Sequence, residues 1–257
     1  MPEPSILTKV DDLINEALGL EVGRLKYKHK ETCQSFSKEI HPKIRWEALI
    51  GNILEQIEKK NWDRKRSPSA KNWRWEENPK INAKNRSLEV VLERLIVGGR
   101  SENYWVNQVP VASGVAGSGD RRRAIDLVHR CENGWYEFIE LKVNEGAGTP
   151  LFAAMEILQY GLLYIFSREH AEDLGYTKAR GYDEESIKVL NAPGIHLKVL
   201  APAAYYSKYN LSWLEKGIKS GLKEILDQRD LRFEMDFTFA SLSLIPSDSP
   251  VKWLGQA

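Results

Sequence analysis

Residues 124 to 143, AIDLVHRCENGWYEFIELKV, constrain the fold of this chain more than any other stretch. Apolar runs rich in β-branched and aromatic residues flank Glu132-Asn133-Gly134, which carries strong turn chemistry, so the segment reads as a β-hairpin. Three charged side chains, Asp126, Glu140 and Lys142, interrupt those runs. Because side chains alternate along a strand, Glu140 and Lys142 share a face and Leu141 takes the other. The loop decides where Asp126 goes. A two-residue turn at Asn133-Gly134 pairs Leu127 with Glu140 and sends Asp126 to the wrong face, whereas a three-residue turn sets Asp126 opposite Glu140. Three-residue loops favour glycine at their last, left-handed position, where Gly134 falls, and that register is the expected one. Ile125, Leu127, Ile139, Leu141 and Val143 then form a plain core face.

Two neighbouring buried carboxylates are costly without a compensating cation, and Lys142 supplies one positive charge for two negative ones. A divalent ion would balance them, and hard oxygen donors suit magnesium or manganese. An isolated Glu-x-Lys is more often a structural ion pair, so the order of surrounding elements has to carry the argument.

Upstream, Ser5 to Leu18 and Pro42 to Lys60 have helical apolar spacing, and Pro42 suits a helix start. Residues 1–85 are read as a helical N-terminal extension. Within it, residues 59 to 86 hold ten Lys or Arg against Asp63, Glu76 and Glu77, a local net of +7, interleaved with Trp62, Trp73 and Trp75. Such a stretch can grip phosphates and stack on bases, or it can be a solvated linker whose tryptophans anchor it to the core. Ser87 to Val97 (SLEVVLERLIV) predicts a helix with Ser87 as its N-cap, an apolar face of Leu88, Val91, Leu92, Leu95 and Ile96, and two acids, Glu89 and Glu93, one turn apart.

Tyr104 to Ala112 predicts the first strand, and Gly114, Gly117 and Gly119 in the loop after it match no phosphate-cradling motif. Arg121-Arg122-Arg123 precedes the Asp126 strand, and either contacts a nucleic-acid backbone or forms a solvated turn. Pro150 opens a largely apolar, mostly buried helix (PLFAAMEILQYGLLYIFSR) that carries Gln159 and Tyr160. Residues 168 to 193 read as a surface excursion, Ile195 to Pro202 as a strand, Asn210 to Leu226 as a helix capped by Asn210, and Leu231 to Leu244 as a long strand.

Helix with an acid, strand, Asp126 strand, Glu140-Leu141-Lys142 strand, helix, strand: this order over residues 86 to about 202 resembles the PD-(D/E)XK nuclease superfamily, the restriction-endonuclease-like fold. Ile125 stands where the superfamily's name implies proline. The resemblance implies an α/β fold, with a central mixed β-sheet flanked by helices over residues 86–257. It implies that Asp126, Glu140 and the carbonyl of Leu141 hold Mg2+, with Mn2+ able to substitute, and that Lys142 orients the attacking water. Glu89 would support metal or water from the preceding helix, and Arg121, Arg122, Arg123 and Gln159 would contact DNA. The expected activity is hydrolysis of DNA phosphodiester bonds by the chain alone, as a homodimer, or within a larger nucleic-acid-processing or defence complex. The rival expectation is a non-catalytic nucleic-acid-binding or assembly subunit that retains the fold.

Composition excludes some alternatives. Lys plus Arg 37 against Asp plus Glu 36 leaves +1, so any affinity for nucleic acid has to be local. Two cysteines, Cys33 and Cys131, without repeated spacing, and five dispersed histidines argue against a disulfide framework or a zinc motif. MPEPSILTKVDD is unlike a secretory signal, and no stretch reads as the ~18–20 apolar residues of a membrane span, so a soluble cytoplasmic protein is expected.

Overall fold

A computed structural model of the chain describes residues 6–21, 44–60, 71–81, 87–99, 104–112, 123–144 and 148–242. Helices α1 (Val10–Ala17) and α2 (Trp46–Glu55) come first, α2 running into a π-helical turn at Gln56–Lys60. Helix α3 (Leu88–Gly98) precedes strands β1 (Trp105–Pro110), β2 (Ala124–Arg130) and β3 (Tyr136–Leu141). Then follow α4 (Pro150–Glu169), α5 (Glu184–Leu190), β4 (Gly194–Pro202), the single turn α6 (Ala203–Tyr206), α7 (Ser212–Gln228) and β5 (Glu234–Leu242).

The five strands form one mixed sheet in the order β1-β2-β3-β4-β5. β1, β2 and β3 are a meander of antiparallel pairs, while β3–β4 and β4–β5 are parallel. Parallel neighbours need long crossovers, and here α4 with α5, then α6 with α7, supply them. The chain is therefore α/β, with a five-stranded mixed open sheet flanked by helices.

Both sheet faces are covered. The larger core joins Val128, Phe138, Leu197 and Phe237 to α4, α2 and α1, and includes Ile125. The smaller one sets Leu127, Ile139, Leu141, Leu200 and Leu242 against Ile96 and Val97 of α3. Of the face expected to be plain core, Leu127, Ile139 and Leu141 do lie beneath α3, but Ile125 joins the larger core and Val143 is half-buried, so the simple alternation fails at the Asp126 end of β2, where the Asp126 charge is felt both by Glu140 and by Glu93 of α3. Helices α1 and α2 share the larger core with the sheet.

Local chemistry explains the main boundaries. Pro150 occupies the first turn of α4, and the Thr149 hydroxyl accepts the Phe152 N–H at 3.2 Å, closing the helix start. Ser87 stands at the N-cap of α3 with no side-chain cap bond, and α7 starts at Ser212 after Asn210, whose Oδ1 accepts from the Ser212 hydroxyl at 3.0 Å. By length and composition α4 could cross a membrane, contrary to the sequence expectation, but 89% of its apolar window is buried inside the protein. It is the core helix of the sheet.

Of the basic, tryptophan-containing stretch, Trp73 is fully buried against Phe138 and Tyr164, and Trp75 packs edge-on against Tyr136. Arg74 donates to the Gly181 carbonyl at 2.8 Å and lies 3.9 Å over the Tyr182 ring. These residues serve as anchors; Trp62 lies outside the described residues. The expected surface excursion is tied down by the same contacts, with Tyr176 and Tyr182 buried.

Helix α2 meets α7 across Gly217 and Gly221, where the Trp46 indole and Ile50 lie so close that a Cβ on Gly217 would stand 2.1 Å from Trp46 Nε1. Gly217→Ala should therefore push Trp46 out of its seat and cost about 1–3 kcal/mol in urea denaturation, the usual scale of overpacking. An unchanged midpoint would show that the α2–α7 contact is not fixed.

Candidate functional site

The hairpin loop fixes the register on which the site depends. Arg130 pairs with Tyr136, His129 with Glu137 and Leu127 with Ile139, leaving Glu132–Gly134 as a three-residue loop with Gly134 at φ +81. The Cys131 N–H donates to the Trp135 carbonyl at 2.8 Å and closes it. Extended by one step, this register sets Asp126 opposite Glu140. There the strands open: the Leu141 N–H donates to the Asp126 carboxylate at 2.9 Å. Leu141, expected to offer its carbonyl, contributes its N–H.

Glu140 and Lys142 are 4% and 7% exposed, and the Lys142 ammonium donates to Glu140 Oε1 at 2.5 Å. It also lies 4.0 Å from Glu156 on α4, a carboxylate that sequence reasoning missed. On the other side, Glu93 of α3 is 1% exposed and accepts from the Gln108 side-chain amide at 2.8 Å. Gln108 falls opposite Asp126 in the β1–β2 register and has φ +53, a left-handed backbone that costs a non-glycine residue on the order of 1 kcal/mol. Gln108, Asp126 and Glu140 thus form a row across three strands.

Glu89, the acid expected from α3, is half-buried, and both Glu89 and Glu93 act electrostatically on this neighbourhood. They are four residues apart on the face that also carries Ile96 and Val97, with Glu93 the deeper. The helix is rotated from the expected orientation: Leu88 and Leu95 are 65% and 49% exposed. A helix apolar on most sides gives no unique inner face.

The remaining predicted contacts divide. Gln159 is buried, donates to the Met155 carbonyl at 3.2 Å and accepts from Arg123 at 3.4 Å. Tyr160 is buried nearby, its hydroxyl held protonated by burial and by the negative field of Glu156 and Glu140. Arg121 and Arg122 lie outside the described residues.

Negative charge is in excess here. Burial pushes Asp126 up to about 6, against the opposing Leu141 N–H and Lys142 charge. Burial and the Asp126 charge push Glu93 up to about 8. Burial, then Asp126 and Glu156, raise Glu140 well above the ordinary carboxylate range. Burial alone would lower the Lys142 ammonium, but Glu140, Glu156 and Asp126 together raise it, so it stays charged. Family models, curated proteins and solved structures were compared with the chain, and none matches. What the site does must be argued from its own chemistry.

Carboxylate oxygens on neighbouring strands, raised in pKa first by burial and then by neighbouring negative charge, are a donor set suited to a hard divalent cation. Metal-free protein should lose stability as pH rises. Asp126 and Glu93 are favoured protonated in the fold, so their contribution is intact below the ordinary carboxylate range and lost as pH climbs through about 6 and about 8. Urea midpoints in EDTA should fall between pH 5 and pH 8. Asp126→Asn, which keeps an oxygen for the Leu141 N–H, should raise stability at pH 8 by roughly 1–3 kcal/mol. A loss of stability in that variant would mean that the carboxylate is a structural partner.

Proposed function

We propose that the chain is a metal-dependent nuclease of the PD-(D/E)XK type that hydrolyses phosphodiester bonds of DNA. The observation that carries this reading is the row of Asp126 and Glu140 on adjacent strands, with Lys142 one step beyond and bonded to Glu140. Three charges at the opening of a hairpin, with Glu93 and Glu156 on the flanking helices, are more than an ion-pair cluster needs. The supporting order of elements is the α3-β1-β2-β3-α4-β4 succession.

In this reading Asp126 and Glu140 hold Mg2+, or Mn2+ in its place. Such an ion lowers the pKa of water and neutralises charge developing on a scissile phosphate. The residues of the chain do the rest. The Leu141 N–H fixes one Asp126 oxygen and so aims the other. Lys142, kept cationic by its three carboxylate neighbours, presents a point charge to the attacking oxygen or to the phosphoryl oxygens. Glu93, held by Gln108, and Glu89 one turn earlier tune the field from α3. Arg123, positioned by Gln159 at the start of β2, meets a backbone phosphate.

The test is cleavage of supercoiled, linear and single-stranded DNA with Mg2+, Mn2+ or EDTA, comparing wild type with Lys142→Ala and Asp126→Ala. Metal-dependent cutting should fall by about 10²-fold or more in each variant, the scale on which removing one transition-state contact acts. Folded wild-type protein that neither cuts nor binds metal by calorimetry would overturn the nuclease reading in favour of a non-catalytic subunit.

A further inference from the structure

The far end of the same hairpin brings together a different set of donors. His129 and Glu137 face each other across β2 and β3, and Cys131 follows two residues after His129. His129 Nδ1 lies 3.0 Å from Glu137 Oε2 and 3.9 Å from Cys131 Sγ. One ligand atom from each residue falls within 4.8 Å of the other two, and all three side chains are half-buried. These are spacings that one tetrahedral ion can bridge with modest side-chain adjustment.

The surroundings orient the donors. The Trp105 indole stacks on the imidazole at 4.1 Å between centroids, which fixes the ring plane and leaves Nδ1 turned to the cluster. The Lys198 ammonium bonds Glu137 Oε1, so Oε2 is the oxygen presented to His129. A hydrogen-bonded carboxylate and a clamped imidazole are the outer supports that metal ligands commonly have. Odd and even positions of β3 point to opposite faces, so Glu137 and its partner His129 lie on the face away from Glu140, and Trp105, stacked on His129, packs against the smaller core.

We propose that His129 Nδ1, Cys131 Sγ and Glu137 Oε2 bind a zinc-class ion, with water completing the tetrahedron. A thiolate and an imidazole select Zn2+ or Co2+ over Mg2+, so this centre and the carboxylate row take different metals. Binding replaces the thiol proton of Cys131 with a metal–sulfur bond and releases that proton to solvent, while the imidazole proton moves from Nδ1 to Nε2. The ion brings two positive charges, the thiolate and the carboxylate one negative charge each, and Lys198 stays outside as a cation. The ion would staple the closed end of the hairpin whose open end carries Asp126 and Glu140.

The experiment is a Co2+ titration of the full chain carrying Cys33→Ser, which leaves Cys131 as the single cysteine. One equivalent of Co2+ should give the near-ultraviolet thiolate-to-cobalt charge-transfer band with tetrahedral visible absorption. Zn2+ should displace it stoichiometrically and raise the melting temperature, and Mg2+ should do neither. Adding Cys131→Ser should abolish the band, and His129→Gln should weaken binding at least about tenfold, the lower end of what disturbing a metal's ligand shell costs. No band in the Cys33→Ser protein, or a band that survives Cys131→Ser, overturns the proposal. Because these readouts need no DNA cleavage, failure here and failure of the nuclease reading are distinguishable.

Discussion

The three-residue loop at Glu132–Gly134 is the constraint on which the rest depends. A strand register has no intermediate settings: one residue more or less in the loop moves every side chain of β3 to the other face relative to β2. With Gly134 in the left-handed region, Asp126 and Glu140 face each other where the strands part, and a side chain takes the place of a ladder bond to Leu141. A shorter loop would carry Glu140 and Lys142 together to the α3 side, among Ile96, Val97 and Leu127, and part them from Asp126 and from Glu156 on α4. The loop is therefore as much a part of the candidate site as the acids it aligns.

That alignment concentrates charge where burial makes it costly. Glu93 and Glu156 close on the row from opposite helices, and Lys142 and Arg123 return only part of the balance. A fold selected for stability alone would have little reason to hold Gln108 in a left-handed conformation at a position from which it binds a buried Glu93. Strain and like-charge crowding at one row of a sheet are the signature expected of a site that gains its compensation from a ligand. On the proposed reading metal, pH and stability would be coupled for the same reason, since a cation and a proton are alternative ways to relieve the same crowding of negative charge.

Much of this was legible in the sequence, for identifiable reasons. The hairpin announced itself through Asn133-Gly134 and its β-branched flanks, and the core helix through Pro150 and its apolar run, because these are local signals. The inner acid of α3 was not legible. Leu88, Val91, Leu92, Leu95 and Ile96 permit more than one inward face, and the choice was made by the sheet, which received Glu93, Ile96 and Val97. Gln108 and Glu156 were missed because nothing in their own neighbourhoods marks them; each acquires its role from a residue distant in sequence. The basic stretch left two readings open, a nucleic-acid contact or a linker anchored by its tryptophans, and at the described positions the anchors are what the structure has: Trp73 buries into the core, Trp75 packs half-buried against it and Arg74 lies on Tyr182.

One register also links the two ends of the hairpin. His129 faces Glu137 for the same reason that Asp126 stands opposite Glu140: both pairs are set by the same loop, and Glu137 and Glu140 fall on opposite faces of β3 because they stand an odd number of residues apart. The open end offers carboxylate oxygens and suits hard cations, whereas the closed end offers a thiol, an imidazole and one carboxylate and suits softer ones. If the closed end is stapled by a metal, the opening at Leu141 is buttressed from the side where β2 and β3 are still paired. The hairpin is then a single mechanical element, and the precision of its charged end is inherited from the rigidity of its turn.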